Sequence, residues 1–135
     1  MALNPRALPD GALELLTARL YATLVTLRPD GSPHAVPVGS TWDDDAGLAR
    51  VITRAGSAKV RNLRAATGDP VRSRVALSTV DGGRWITLEG PARVSDDPDE
   101  VAEAVRRYAQ RYRHPAERPD RVALVVAVDR VLGRV

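Results

Sequence analysis

Three runs of turn chemistry constrain this chain more than any other feature. Pro29-Asp30-Gly31-Ser32, Asp43-Asp44-Asp45-Ala46-Gly47 and Asp81-Gly82-Gly83 each separate two segments rich in Val, Thr, Leu and Ile. Proline presets φ, and glycine supplies the positive φ that tight reversals need. Short links between β-branched runs make antiparallel hairpins, because parallel strands require a long crossover. The runs are Tyr21 to Arg28, His34 to Thr41, Leu48 to Arg54, Val71 to Val80 and Arg84 to Val94. A sixth, Arg121 to Val135, is apolar at consecutive positions in its centre, so it belongs inside a sheet or at an interface. Pro37 cannot donate a ladder hydrogen bond, which puts the second strand at an edge, at a bulge, or where a ligand meets the backbone. Gly90-Pro91 marks a bend in the fifth strand, and the Asp43 to Gly47 loop reads as a solvated turn.

Three helices intervene. Pro9-Asp10 opens a short one, with Asp10 as N-cap and Leu13, Leu16 and Leu20 on one face. Ser57 is placed to cap a second, over Ala58 to Ala66. Asp97-Pro98-Asp99-Glu100 starts a third, with Val101, Val105, Tyr108 and Tyr112 at helical spacing. The order α-β-β-β-α-β-β-α-β describes a mainly β, α+β chain. Its 135 residues suit one domain, residues 1–135, built as a closed or partly closed antiparallel barrel with short flanking helices.

Several function classes drop out. With no cysteine there are no disulfides, thiolate metal sites or cysteine nucleophiles, and two separated histidines make no His-rich metal site. The N-terminus has no apolar signal segment and no run is long enough for a bilayer, so cytoplasmic residence without a membrane partner is expected. A net charge of +3 and the absence of Phe give little to a nucleic-acid surface, and no nucleic-acid partner is expected. The best contrary feature is Arg106, Arg107, Arg111 and Arg113 beside Tyr108 and Tyr112, read here as a solvated helix face with the tyrosines inward. There is no Walker loop, no Gly-x-Gly-x-x-Gly, no Gly-x-Ser-x-Gly and no poised carboxylate pair. If the chain is an enzyme, a bound cofactor carries its chemistry.

Arg50 to Arg64 can hold such a cofactor. The stretch reads as strand, Gly56-Ser57 turn and helix start, which offers free amides and a favourable dipole to an anion. Lys59 lies in the first helical turn and is the one lysine among 20 basic residues. A compact ammonium suits a phosphate better than a guanidinium fork does when only a point charge is needed. Ser57 adds a hydroxyl, and Arg61 and Arg64 add charge.

These residues also carry a resemblance. Four blocks are involved: Ser32-Pro33-His34-x-Val36-Pro37-Val38-Gly39, Arg50-Val51-Ile52-Thr53-x-x-Gly56-Ser57-x-Lys59-Val60-x-Asn62, Val80-Asp81-Gly82-x-Arg84-Trp85-x-x-Leu88-Glu89-Gly90 and Tyr108-x-x-Arg111-Tyr112-Arg113. Together they resemble the split β-barrel flavin-binding superfamily that includes pyridoxamine 5′-phosphate oxidase. Within it, the chain is most similar to actinobacterial oxidoreductases that use the deazaflavin coenzyme F420, of the F420H2-dependent biliverdin reductase type. The resemblance implies a six-stranded antiparallel split β-barrel and a homodimer with cofactor sites at its interface. It implies that Ser57, Lys59 and Asn62 hold the cofactor phosphate, that Arg61 reaches an acidic tail, and that Arg50 belongs to the same contact set. Ile52 and Thr53 would border the ring, the backbone around His34, Val36 and Pro37 would lie against it, and Trp85 would pack near it or stay in the core. The implied reaction is hydride transfer from reduced F420 to an unsaturated small-molecule acceptor such as biliverdin. FMN remains the alternative cofactor, and a non-catalytic F420, flavin or haem carrier the alternative role. One departure is the connection Ala65 to Arg74, which is longer than the family pattern and carries Arg72 and Arg74.

Overall fold

The computed structural model describes residues 1–135. Its elements begin with β1 (Ala2–Leu3), α1 (Asp10–Thr17), β2 (Ala22–Leu27), β3 (Pro33–Val38), β4 (Ser40–Asp43) and β5 (Leu48–Arg54). They continue with α2 (Ala58–Ala65), β6 (Arg74–Asp81), β7 (Arg84–Ser95), α3 (Pro98–Arg111), β8 (Arg121–Ala127) and β9 (Arg130–Arg134). The sheet path is β3-β2-β6-β7-β8-β5-β4, and its pairings are all antiparallel. β9 folds onto the first half of β7 and carries β1 on its outer side.

β7 joins the two halves of the barrel. Trp85 to Glu89 pair with β9, whereas Ala92 to Ser95 pair with β8. The strand changes partner at Gly90, where a Cβ would sit 1.9 Å from the Ala127 carbonyl oxygen, so only glycine permits the crossing.

The antiparallel barrel is as expected, but it has nine strands and not six. The run His34 to Thr41 is cut at Gly39 into β3 and β4. The run Arg121 to Val135 is cut at Val128-Asp129, whose amides turn aside to the Gly47 carbonyl (3.1 Å) and the Glu89 carbonyl (3.0 Å). The third addition is the two-residue β1. Val71 to Ser73 form a turn and not a strand start, because the Asp69 carboxylate accepts from the Val71 (2.9 Å) and Arg72 (3.0 Å) amides.

Two caps differ from expectation. Pro9 occupies the N-cap of α1 and Asp10 lies inside the first turn. Ser57 occupies the N-cap of α2, but its side chain caps nothing and its hydroxyl instead accepts from Thr53 (3.3 Å). Asp97 caps α3 as anticipated, accepting from the Asp99 amide at 2.8 Å. In α1 the buried face is Ala12, Leu15 and Leu16; Leu13 is only half-buried, and Leu20, also half-buried, lies beyond the end of the helix.

One main core of 18 buried residues fills the barrel and seats α1 and α2. Each fully buried Leu or Ile there, such as Leu24, Leu77, Ile86 and Leu124, contributes roughly 1.5–3 kcal/mol of apolar burial. β8 is buried on both faces, as its sequence required: Val122, Leu124 and Val126 face the barrel, and Ala123 and Val125 face Ala104 of α3. The end of α3 is tied down by polar groups. The Arg111 guanidinium donates to the carbonyls of Ala18 (2.9 Å), Ser40 (2.6 Å) and Leu15 (3.0 Å). The Tyr112 hydroxyl donates to the Leu20 carbonyl (2.6 Å) and accepts from the Ser40 amide (3.2 Å).

Candidate functional site

Strand alternation decides which face of β3 is available. His34, Val36 and Val38 lie opposite Thr26, Leu24 and Ala22 and point into the barrel wall, while Pro33, Ala35 and Pro37 are exposed. β3 pairs only with β2 and forms one end of the sheet path, so Pro37 sits on an edge strand where its missing N–H costs no ladder bond. Gly39 follows, and a Cβ there would lie 2.6 Å from Tyr108 Cε2 and 3.1 Å from Tyr112 Cε2. The bare glycine backbone therefore lets α3 press its aromatic rings against the seam between β3 and β4.

β5 arrives at this seam from the other end of the path. Arg54 closes it, and the Ser57 amide bonds back to the Arg54 carbonyl (3.1 Å) to make the turn into α2. The amides of Ala58, Lys59 and Val60 open that helix with no acceptor in the chain. Such a terminus favours an anion.

Between these elements lies a cavity of about 310 Å³. Pro37, Val38 and Gly39 form one wall, and Ile52, Thr53 and Arg54 another. Lys59, Tyr108 and Pro115 complete it with Arg118 and Arg121 of the α3–β8 connection and β8. Four lining side chains are cationic, Arg54, Lys59, Arg118 and Arg121, and no lining residue is acidic. None of the four takes part in an ion pair. Burial, and secondarily the charge of Arg54, push the Lys59 ammonium below its ordinary pKa of 10.5. An anion in the cavity would oppose the second effect and favour the charged lysine.

The structure therefore brings Pro37, Ile52, Thr53 and Lys59 to one place, with Ser57 at the adjoining helix start. It sends the other expected residues elsewhere. Arg61 is exposed and braces the turn by donating to the Gly56 carbonyl (2.6 Å). Asn62 is buried and donates to Thr26 Oγ1 (3.0 Å), so its amide points toward β2 and not into the cavity. His34 shares that inner layer through its register with Thr26, and its Nδ1 is buried without a partner. Val36 packs on the main core. Arg50 pairs with Asp43 (3.0 Å), a carboxylate that also takes Arg107 (3.1 Å). Burial alone would raise the Asp43 pKa, but the Arg50 hydrogen bond, the Ala46 amide and the Arg107 charge outweigh it and hold the acid below its usual range. Asp43 is thus a buried ion-pair centre and not part of a solvated turn. Trp85 lines a separate cavity of about 500 Å³ with Met1, Leu3 and Val135.

Sequence reasoning missed Arg54, Gly39, Arg118 and Arg121, and left Tyr108 in the core. Arg121 becomes visible only through register, since it lies opposite Arg54 in the β5–β8 pairing. The available signal was the arginine pair flanking Pro119-Asp120, just before a strand long enough to reach the same end of the sheet.

The pyridoxamine 5′-phosphate oxidase family model matches residues 8–134. The chain belongs to the pyridoxamine 5′-phosphate oxidase family. A relative, the F420H2-dependent biliverdin reductase of Mycobacterium tuberculosis (strain CDC 1551 / Oshkosh), is 50% identical over 127 residues, covering 93% of this chain and 88% of its own. A solved F420 reductase superposes with a TM-score of 0.72 at 29% identity, covering 93% of this chain and 98% of that one. A conserved hypothetical protein of Mycobacterium tuberculosis shares the fold, with a TM-score of 0.75 at 24% identity over 94% of this chain and 84% of its own.

Proposed function

We propose that this chain is an F420H2-dependent reductase of small unsaturated acceptors, with biliverdin the first acceptor to test. The observation that carries the reading is Lys59, with Arg54 beside it and three open amides at the start of α2, in a cavity that no acid lines. The half-identical relative and the solved F420 reductase support it.

The lining fits the cofactor. Lys59 and the amides of Ala58, Lys59 and Val60 suit a phosphate, and Thr53, Ile52, Gly39 and the exposed face of Pro37 offer a flat, partly apolar slot beside them. Bound F420H2 supplies a hydride to the acceptor, which takes up a proton to complete a two-electron reduction. The chain orients the two partners, keeps the phosphate end neutralised and limits water at the ring. No carboxylate or imidazole of this chain lines the cavity, so a water molecule supplies the proton.

FMN also carries a tricyclic ring and a phosphate. Lys59 meets the phosphate, and the unpaired Arg54 beside it is a further cation that favours a cofactor with a longer acidic tail. Fluorescence titration should show F420 binding at least tenfold more tightly than FMN; equal or reversed affinity overturns the cofactor assignment. Loss of F420H2 absorbance with biliverdin should follow, whereas tight binding without oxidation across an acceptor panel would make the protein a carrier. The reading includes a cytoplasmic homodimer whose second copy covers the open side of each site, and light scattering at twice the 14.6 kDa chain mass checks the assembly. No helix is long and apolar enough to cross a membrane.

A further inference from the structure

Arg118 and Arg121 line two cavities at once. One is the 310 Å³ cavity assigned above to the cofactor. The other, about 590 Å³, lies against the outer face of α3 and is floored by Val101, Ala102 and Val105. Asp96 and Glu117 also line this second hollow, which leaves Arg118 and Arg121 as its cations and directs any acid group to their edge. Both guanidiniums lack a carboxylate partner. Arg121 gives one N–H to the Ala116 carbonyl (2.7 Å), which holds the loop, while the Arg118 side chain bonds to nothing in the chain. Arg121 also stands directly across the strand pair from Arg54, an arrangement of like charges that is unfavourable until an anion arrives.

We propose that Arg118 and Arg121 form a carboxylate-binding bridge for the acceptor, whose apolar body rests in the hollow beside α3. The acceptor class is then an amphipathic molecule, a broad apolar framework bearing one or more carboxylates. This rests on the reductase reading. The phosphate needs are met on a different element, by Lys59 and the start of α2, so the two arginines stand apart from that clamp. A guanidinium fork matches a carboxylate with two parallel hydrogen bonds, and it loses little on partial burial because it is weakly hydrated.

The test uses biliverdin, which carries two propionates, and its dimethyl ester as probes. Binding of each to the F420-loaded protein is measured by calorimetry, and oxidation of F420H2 is followed separately. The wild type should bind the acid about tenfold more tightly than the ester, the scale of one charge-assisted contact. Arg118→Gln should weaken the acid about tenfold while leaving the ester and F420 itself unchanged, and Arg118→Lys should fall between. Arg118 is the residue to change because its side chain holds no part of the fold. Equal binding of acid and ester, failure of both to bind, or an Arg118→Gln effect on F420 and not on biliverdin overturns the bridge. Acid-selective binding lost in Arg118→Gln without F420H2 oxidation leaves the bridge standing and removes the reductase reading alone. Oxidation with no preference for the acid removes the bridge alone.

Discussion

The molecule holds two arginine-rich regions with opposite treatment of charge. On α3, Arg106 and Arg107 both meet Glu103, Arg107 also meets Asp43, and Arg111 donates to three carbonyls. At the cavity, Arg54, Arg118, Arg121 and Lys59 meet no carboxylate at all. The residue type is the same, so composition cannot separate the two. The difference lies in whether the fold supplies acceptors. Where it does, the charge is structural; at the cavity only Arg121 has an acceptor in the chain, the Ala116 carbonyl, and Arg54, Lys59 and Arg118 have none. Three of the four arginines of the α3 stripe are thus engaged within the chain.

The largest expected effect comes from the structural side. Arg111→Ala removes a guanidinium whose burial lowers its own pKa and takes one donor from each of three carbonyls. Urea unfolding should show a loss of about 3 kcal/mol, with F420 affinity of the folded fraction unchanged. A loss below about 1 kcal/mol would mean the contacts are replaced by water and the contrast between the regions is overstated.

Lys59→Ala should do the reverse. F420 affinity should fall at least tenfold, the scale of a charge-assisted contact, while stability without cofactor stays level or rises as a half-buried cation disappears. The pH dependence has a defined sign. The folded pKa of Lys59 lies below 10.5, so cofactor affinity should drop as pH rises through it. In the window between that pKa and 10.5, the unfolded chain binds more protons than the folded one, so the cofactor-free protein should gain stability with pH. An affinity that stays flat up to pH 10.5 would remove Lys59 from the clamp.

Smaller effects test the edges of the contrast. Tyr112→Phe unpairs the Leu20 carbonyl and the Ser40 amide and should cost about 1–2 kcal/mol in thermal unfolding. Arg106→Ala breaks an exposed pair with Glu103 and should change stability by less than about 0.5 kcal/mol. A larger loss would make even the outer arginines structural.

The barrel was legible because its turns and alternation are local. Pro29 to Ser32, Asp43 to Gly47 and Asp81 to Gly83 each say where a strand reverses, and they do so wherever the rest of the chain lies. Strand count was not legible, because Gly39 and Val128-Asp129 interrupt strands through contacts with distant partners, Tyr108 and the Gly47 and Glu89 carbonyls. The helix start at Lys59 could be read from its own residues. Asn62 and Arg61 could not: a single residue step of about 100° around the helix decides that Asn62 faces β2 and Arg61 faces solvent. Arg118 and Arg121 reach the cavity through tertiary register, which no local pattern reports.

The single residue between β3 and β4 has a mechanical consequence. These strands are the two ends of the sheet path, and Gly39 joins them directly. The two trans peptides from Val38 to Ser40 span at most about 7 Å between Cα atoms, so the two edges cannot part at that point. Gly39 therefore fixes how far apart the two edges stand at this end of the cavity. The rings of Tyr108 and Tyr112 lie against Gly39 at that junction, so any change in the angle between the two edges must repack them.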